Sequence, residues 1–260
     1  MNSSESKLLC KTLEIDFFDT SKKETYKTKL KLFKIELPKY HGIAYLLTKI
    51  LIPAEVQRAE RYRHIKDRNR FIICRSMLKY VLAVETGSEI SKITFETHDN
   101  KKPYLPSHPS VFFNVAHAGD YALIALGNCD LGVDVEFINT NFDFEEILPT
   151  VFSDAEIDTL ANSTDKHYTF YKLWTRKEAI VKATGKGIDD NLCKIPVTEG
   201  LHIVPSSLLS DFRTINALSF HISPDYVGTL AITENIDNFE AIKFYPLPEP
   251  DELKVFLKTI

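Results

Sequence analysis

The sequence predicts an α+β fold made of two similar halves, each an antiparallel sheet packed with a long helix. Two long segments with helical spacing of apolar residues end at Thr86-Gly87 and at Thr184-Gly185, and strand-like segments follow each of them. The order of the strands also repeats, in segments 112–115 and 121–125 of the first half and 219–222 and 226–231 of the second. We therefore expect halves at residues 1–130 and 131–260, with a ligand cleft where they meet.

Composition narrows the class of protein. The chain has 260 residues, of which 44% are hydrophobic, and its formal net charge is −4. This size and apolar content are typical of a folded, enzyme-sized protein, and the negative charge argues against a nucleic-acid-binding protein. The four cysteines form no Cys-x-x-Cys pair, and the longest apolar run, 42–53, is interrupted by Lys49. Together with an N-terminus without a secretion signal, this predicts a cytoplasmic protein with reduced thiols and no membrane span.

The first half is expected to contain three helices between groups of strands. A short helix follows the turn at residues 38–42, a second helix begins at Pro53, and a longer helix covers residues 67–85 and ends at Gly87. The strands are predicted at residues 13–18, 30–37, 93–97, 111–115 and 121–126. Residues 116–120, which include His117, are expected to form a loop. Because the last two strands and the next strand, 131–139, are joined by short connections, they are predicted to form one antiparallel sheet.

The second half begins with the acidic strand 131–139. Ser153 and Glu156 have the spacing of a capping box at the start of a short helix, and a long helix is predicted over residues 167–184. The remaining strands are predicted at residues 201–204, 217–222, 228–233 and 241–245.

The acidic strand carries the first functional signal. Alternation places Val133 and Val135 on one face and Asp134 and Glu136 on the other. Side chains two residues apart on a strand are separated by about 6.5–7 Å at the backbone, so both carboxylates can reach one divalent cation. The alternative interpretation is an edge strand whose acidic side chains are solvated.

A second signal lies on the helix 167–184. Glu178 and Lys182 are four residues apart and share one helix face. Glu178 would add a third oxygen ligand, and three carboxylates without His or Cys favour Mg²⁺ or Mn²⁺ over zinc. Lys182 would lie beside phosphates bound to such an ion. An ordinary surface ion pair is the alternative.

A basic segment lies in the first half. Between residues 55 and 80 there are eight Lys or Arg and three acidic residues. The cluster is either a solvated helix face or a site for a phosphate-rich ligand. The candidate phosphate ligands are Arg58, Arg68, Arg70 and Arg75.

Four motifs resemble those of one enzyme family. Gly132-Val133-Asp134-Val135-Glu136 and the segment Trp174 to Lys182 resemble the two signature motifs of 4′-phosphopantetheinyl transferases of the longer, surfactin-synthetase-activating type. Lys102-Pro103 and Phe113 to His117 are similar to two preceding segments of that family. The resemblance covers about residues 50–235. Two departures are Lys101, where the family has glycine, and Ala116, where it has serine.

The resemblance implies a pseudo-dimeric fold that acts as a monomer, with coenzyme A bound between the halves. Asp134, Glu136 and Glu178 match the family's Mg²⁺ ligands, and Lys182 matches its pyrophosphate-side lysine. The implied coenzyme A contacts are Arg58, Arg70, Lys102, Ala116 through its backbone N–H, His117 and Lys182.

The predicted activity is Mg²⁺-dependent transfer of 4′-phosphopantetheine from coenzyme A to a serine of an apo acyl or peptidyl carrier protein. Adenosine 3′,5′-bisphosphate is the second product. Either Glu136 or Glu178 would accept the serine proton, and Lys182 would stabilise the leaving group. Two alternatives remain: an Mg²⁺-dependent phosphohydrolase or nuclease with the same carboxylates, and a non-catalytic protein that binds carriers or nucleic acid.

Overall fold

The computed structural model describes residues 5–18, 30–189, 191–236 and 238–259 of the chain. The strands are β1 (Glu5–Thr12), β2 (Lys31–Glu36), β3 (Glu96–Thr97), β4 (Pro103–Tyr104), β5 (Phe112–Ala118), β6 (Tyr121–Gly127), β7 (Leu131–Phe137), β8 (Gly200–Pro205), β9 (Thr214–Ser223) and β10 (Tyr226–Ile232). The helices are α1 (Leu37–Tyr40), α2 (Ala44–Leu47), α3 (Pro53–Glu60), α4 (Ile65–Thr86), α5 (Leu148–Val151), α6 (Asp154–Ala161), α7 (Lys166–Thr184) and α8 (Pro250–Phe256). In these ranges no helix is both long enough and apolar enough to cross a bilayer.

Two sheets form the centre of the molecule. The order of the larger sheet is β7-β10-β9-β1-β8, and the order of the smaller sheet is β2-β6-β5. They pack face to face through an apolar cluster that includes Leu123 of β6, Val133 of β7 and Phe220 of β9. Helix α4 covers the outer face of the smaller sheet, and α7 covers the outer face of the larger one. The predicted α+β fold of two halves, each a sheet with a long helix, is confirmed.

The halves also repeat a buried ion pair. Glu55 of α3 accepts a hydrogen bond from the backbone N–H of Ile52 and lies 3.4 Å from Lys79 of α4. In the second half, Glu156 of α6 accepts from the N–H of Ser153 and lies 3.1 Å from Lys177 of α7. In each half, a glutamate at the start of a short helix thus neutralises a buried lysine on the long helix.

Several local predictions are wrong. Strand β7 pairs with β10 rather than β6, so the three successive strands are divided between the two sheets. Strand β5 continues to Ala118, which places His117 in a strand and not in a loop. Residues 13–18 contain only one isolated bridge, at Phe17, because the first strand lies earlier in the chain. In the predicted strand 241–245 only Phe244 forms bridges, and the predicted strand 93–97 is reduced to β3.

Both ends of the chain cross between the halves. Strand β1 runs parallel to β9 and antiparallel to β8 in the sheet of the second half. Leu253 of α8 and Leu257 are buried in the apolar core of the first half. The division of the chain at residue 130 therefore stays a prediction. In the packed structure, β1 belongs to the sheet of the second half, and Leu253 and Leu257 belong to the core of the first half.

Candidate active site

The close packing of α7 on β7 depends on a glycine. A Cβ atom at Gly132 would meet the carbonyl oxygen of Ala179, the backbone nitrogen of Ala183 and, at 2.8 Å, the Cβ of Lys182. The absence of a side chain lets the helix lie directly on the strand. The close approach brings the polar face of β7 against the helix face that carries Glu178 and Lys182.

Acidic side chains from the strand and the helix surround one lysine. Asp134 Oδ1 lies 2.6 Å from Lys182 Nζ, and Glu178 Oε2 lies 4.0 Å from the same ammonium. Asp134 is only 5% exposed. Burial raises the pKa of Asp134 to about 7, against the opposing effect of Lys182, and the negative charges of Glu136 and Glu178 raise it further. The three carboxylates thus act on one another electrostatically.

Glu136 is oriented by an aromatic side chain. The indole N–H of Trp174 donates a hydrogen bond to the Glu136 carboxylate, while desolvation raises the pKa of that carboxyl. This contact of Trp174 was not predicted from the sequence. The position of Trp174 four residues before Glu178 on the same helix face was the available signal.

One oxygen of the acidic cluster has no partner. Asp134 Oδ2 is buried, and no donor in the described part of the chain bonds to it. Buried polar atoms are normally satisfied, so this oxygen is suited to a ligand from outside the chain. Within the described ranges, no three His, Cys, Asp or Glu residues are already grouped as a metal site. The carboxylate oxygens of Asp134, Glu136 and Glu178 are chemically suited to bind a hard divalent cation, and Lys182 partly neutralises their negative charge.

A basic cavity of about 260 Å³ lies on the side of the first half. Its charged lining residues are Arg58, Arg70 and Arg75, with His117 and one acid, Asp67. The ring of Phe71 packs against two of the guanidinium groups, 5.1 Å from Arg58 and 5.8 Å from Arg75. Stacked guanidiniums are preorganised donors for phosphate oxygens.

His117 lies in the basic cavity. Its side chain lines the cavity, where desolvation and then the positive charge of Arg70 lower the pKa of the imidazole. The charge of Lys182 also lowers this pKa, and Asp67 opposes the shift. The positive charge of Lys182 therefore acts on His117 as well as on Asp134.

Four candidates from the sequence do not line this cavity. Lys182 lies beside Asp134 in the acidic cluster instead. The Lys102 ammonium lies 3.3 Å from Asp130 Oδ1, and its other contacts are backbone carbonyls, although the next residue, Pro103, lines the cavity. The Ala116 side chain is buried in the cluster between the sheets. Arg68 is not among the residues that line the cavity.

Comparison with known proteins shows the family of the chain. The family model of the 4′-phosphopantetheinyl transferase superfamily matches residues 130–232, and the model of the 4′-phosphopantetheinyl transferase N-terminal region matches residues 38–128. The 4′-phosphopantetheinyl transferase HetI of Nostoc is 30% identical over 60% of this chain and 69% of its own length. The chain belongs to the 4′-phosphopantetheinyl transferase superfamily. The resemblance drawn from four motifs is thereby confirmed.

Other relatives in the superfamily have similar identities. The 4′-phosphopantetheinyl transferase Sfp of Bacillus subtilis is 30% identical over 52% of this chain and 61% of its own length. A protein of Synechocystis is 34% identical over 58% of this chain and 64% of its own length. The chain thus spans less than two thirds of these two relatives.

Proposed function

We propose that this protein transfers the 4′-phosphopantetheine group of coenzyme A to a serine of an apo acyl or peptidyl carrier protein. The observation that supports this most is the presence, in one chain, of a basic cavity lined by three arginines and His117 and of a buried acidic cluster in which Asp134 Oδ2 has no partner among the described residues. Family membership supplies the reaction class. The same geometry suits a substrate with a pyrophosphate and a further phosphate.

The basic cavity binds coenzyme A in this proposal. Arg58, Arg70, Arg75 and His117 line one cavity and present cationic or donor groups to a phosphate. Because the guanidiniums are held by Phe71 and by acidic neighbours, they contribute orientation more than rate. Arg70, for example, keeps a 2.8 Å ion pair with Asp67.

The chemistry takes place at the acidic cluster. The serine oxygen attacks the pantetheine-side phosphorus, the bond from that phosphorus to the bridging oxygen breaks, and adenosine 3′,5′-bisphosphate leaves. Lys182 stabilises the charge of the leaving group, and Glu136 and Glu178 are the carboxylates available to accept the serine proton. Asp134, Glu136 and Glu178 would hold Mg²⁺, or Mn²⁺, which when bound neutralises phosphate oxygens.

The proposal extends to the state of the protein in the cell. Each chain carries both the basic cavity and the acidic cluster, so a monomer is sufficient for activity. No disulfide joins the four cysteines in the described part of the chain, which fits a reducing cytoplasm. Neither nucleic acid nor membrane is needed as a partner.

Intact-mass measurement of several apo carrier proteins after incubation with coenzyme A and Mg²⁺ tests the activity. We expect one added phosphopantetheine on the carrier serine, loss of the reaction in EDTA, and no transfer by Asp134→Ala that remains folded. Release of inorganic phosphate without modification of any carrier would instead support a phosphohydrolase.

A further inference from the structure

The Lys102 ammonium joins three parts of the molecule. It donates to the carbonyl oxygen of Leu131 at 3.1 Å and to that of Ala183 at 3.3 Å, and it lies 3.3 Å from Asp130 Oδ1. Leu131 is the first residue of β7, and Ala183 follows Lys182 on α7. One side chain of the first half therefore ties the strand that carries Asp134 to the helix that carries Lys182.

Asn100 adds a second tie to the end of the same helix. Its side-chain amide donates to the carbonyl oxygen of Gly185 at 2.8 Å, and its Oδ1 accepts from the backbone N–H of Lys102 at 2.9 Å. The last carbonyls of a helix lack partners within the helix and attract positive charge. Asn100 and Lys102, which we call the clasp, satisfy two such carbonyls from outside the half that contains α7.

The turn that bears the clasp is itself constrained. The backbone N–H of Lys101 donates to the carbonyl of His98 at 2.8 Å, and that of His98 donates to the carbonyl of Lys102 at 3.0 Å. Lys101 adopts a left-handed conformation with φ of 66°, which a lysine does not adopt readily. The surrounding bonds therefore hold this turn in one geometry, with the Lys102 side chain 14% exposed and directed into the other half.

We propose that Lys102 is a positioning residue that sets the separation of β7 and α7, and thereby of the carboxylates and Lys182, instead of contacting coenzyme A through its ammonium. The proposal rests on the proposed function and deepens it. Its physical basis is that the Lys102 ammonium bridges the carbonyls of Leu131 and Ala183, which flank the close contact of Gly132 with α7. The adjacent Pro103 lines the basic cavity, so a single short segment supports both parts of the site.

Lys102→Met keeps most of the side-chain length and removes the charge and the donors. We expect kcat to fall at least about tenfold and the Mg²⁺ concentration for half-maximal rate to rise, because small displacements of reacting groups lower the rate strongly. The Kd for coenzyme A, measured by calorimetry without Mg²⁺, should stay within about twofold, since the ammonium contacts no part of the cavity. Lys102→Arg should recover part of kcat.

A readout independent of catalysis separates this proposal from the proposed function. Hydrogen exchange of the backbone amides of residues 179–185 should be faster in Lys102→Met than in the wild type, and less so in Asn100→Ala, which removes only a neutral hydrogen bond. The matched control is Lys92→Met, because Lys92 is an exposed lysine in a surface ion pair with Glu89. If the wild type modifies no carrier while the exchange pattern is as expected, the proposed function is wrong, but the structural role of the clasp is supported.

Two outcomes would overturn the positioning role. One is a Kd for coenzyme A that weakens tenfold or more in Lys102→Met with kcat unchanged, which would make the ammonium a substrate ligand. The other is exchange and kinetics like those of Lys92→Met in both clasp variants. If Lys102→Met does not fold, Asn100→Ala still tests the proposal, because this variant removes only a neutral hydrogen bond and is destabilised less.

Discussion

Replacing Gly132 by alanine tests the dependence of the site on the contact between β7 and α7. The added methyl would lie 2.8 Å from Lys182 Cβ, about 0.6 Å inside the ordinary contact limit of 3.4 Å. It would also meet backbone atoms of Ala179 and Ala183, which cannot rotate away as a side chain can. Helix α7 must therefore move away from the strand.

Two effects, on stability and on turnover, follow from this displacement. Overpacking of this kind lowers the free energy of unfolding by about 1–3 kcal/mol. For a chain of this length that corresponds to a fall in Tm of about 2–12 °C. Turnover should also fall, because a misplacement of about 1 Å near reacting groups reduces rates about 100-fold. We expect Gly132→Ala to be folded at room temperature and 30- to 100-fold slower, as roughly estimated from that relation.

Initial rates of carrier modification by intact mass, together with thermal melting followed by circular dichroism, measure both effects. Gly42→Ala is the matched control, since a Cβ at Gly42 would have no heavy atom within 4 Å. Wild-type turnover and an unchanged Tm in Gly132→Ala would refute the dependence of the site on this contact.

Four further predictions concern single groups. Arg75→Met should weaken binding of coenzyme A about tenfold or more in calorimetry, with kcat retained, because a charged hydrogen bond to phosphate is lost. An unchanged Kd would show that Arg75 does not bind coenzyme A. Trp174→Phe should lower kcat about five- to tenfold with an unchanged Kd, because the carboxylate of Glu136 loses one hydrogen bond; unchanged kinetics would make that bond irrelevant. Burial raises the pKa of Asp134 from 3.8 to about 7, so the folded protein binds more protons than the unfolded chain between those values and loses stability as the pH rises. Urea titrations in EDTA should show this loss, about 2–3 kcal/mol between about pH 5 and pH 8, and Asp134→Asn should lack it; an equal loss in both proteins would contradict the assignment. Lys101→Gly should raise Tm by about 1–3 °C by relieving the left-handed backbone, and a lower Tm would show that this residue is not strained.

Local signals predicted the long helices well. Gly87 and Gly185 end α4 and α7 with φ of 66° and 67°, the left-handed conformation that glycine adopts at helix ends. The pairing of β7 was not predictable in the same way, because strand partners are distant in sequence. Its short connection to β6 favoured a hairpin, whereas the buried face formed by Val133 and Val135 packs against the smaller sheet instead.

The geometry of the site was likewise predictable where it depends on local sequence and not where it depends on tertiary packing. Placement of Glu178 and Lys182 on one helix face follows from their spacing alone, and the structure has them 4.0 Å apart. Partners fixed only by tertiary packing were not foreseeable, such as the indole of Trp174 on Glu136. The direction of the Lys102 side chain also depends on the docking of two halves, about which a Lys-Pro dipeptide carries no information.

The exchange of chain ends has a consequence for biosynthesis. The core of the first half includes Leu253 and Leu257, which are synthesised only after the strands of the second half. The first half therefore lacks part of its apolar packing until these residues have been made, and the sheet of the second half recruits β1, a strand synthesised before the first half. Folding of both halves is expected to be completed only after α8 has been synthesised.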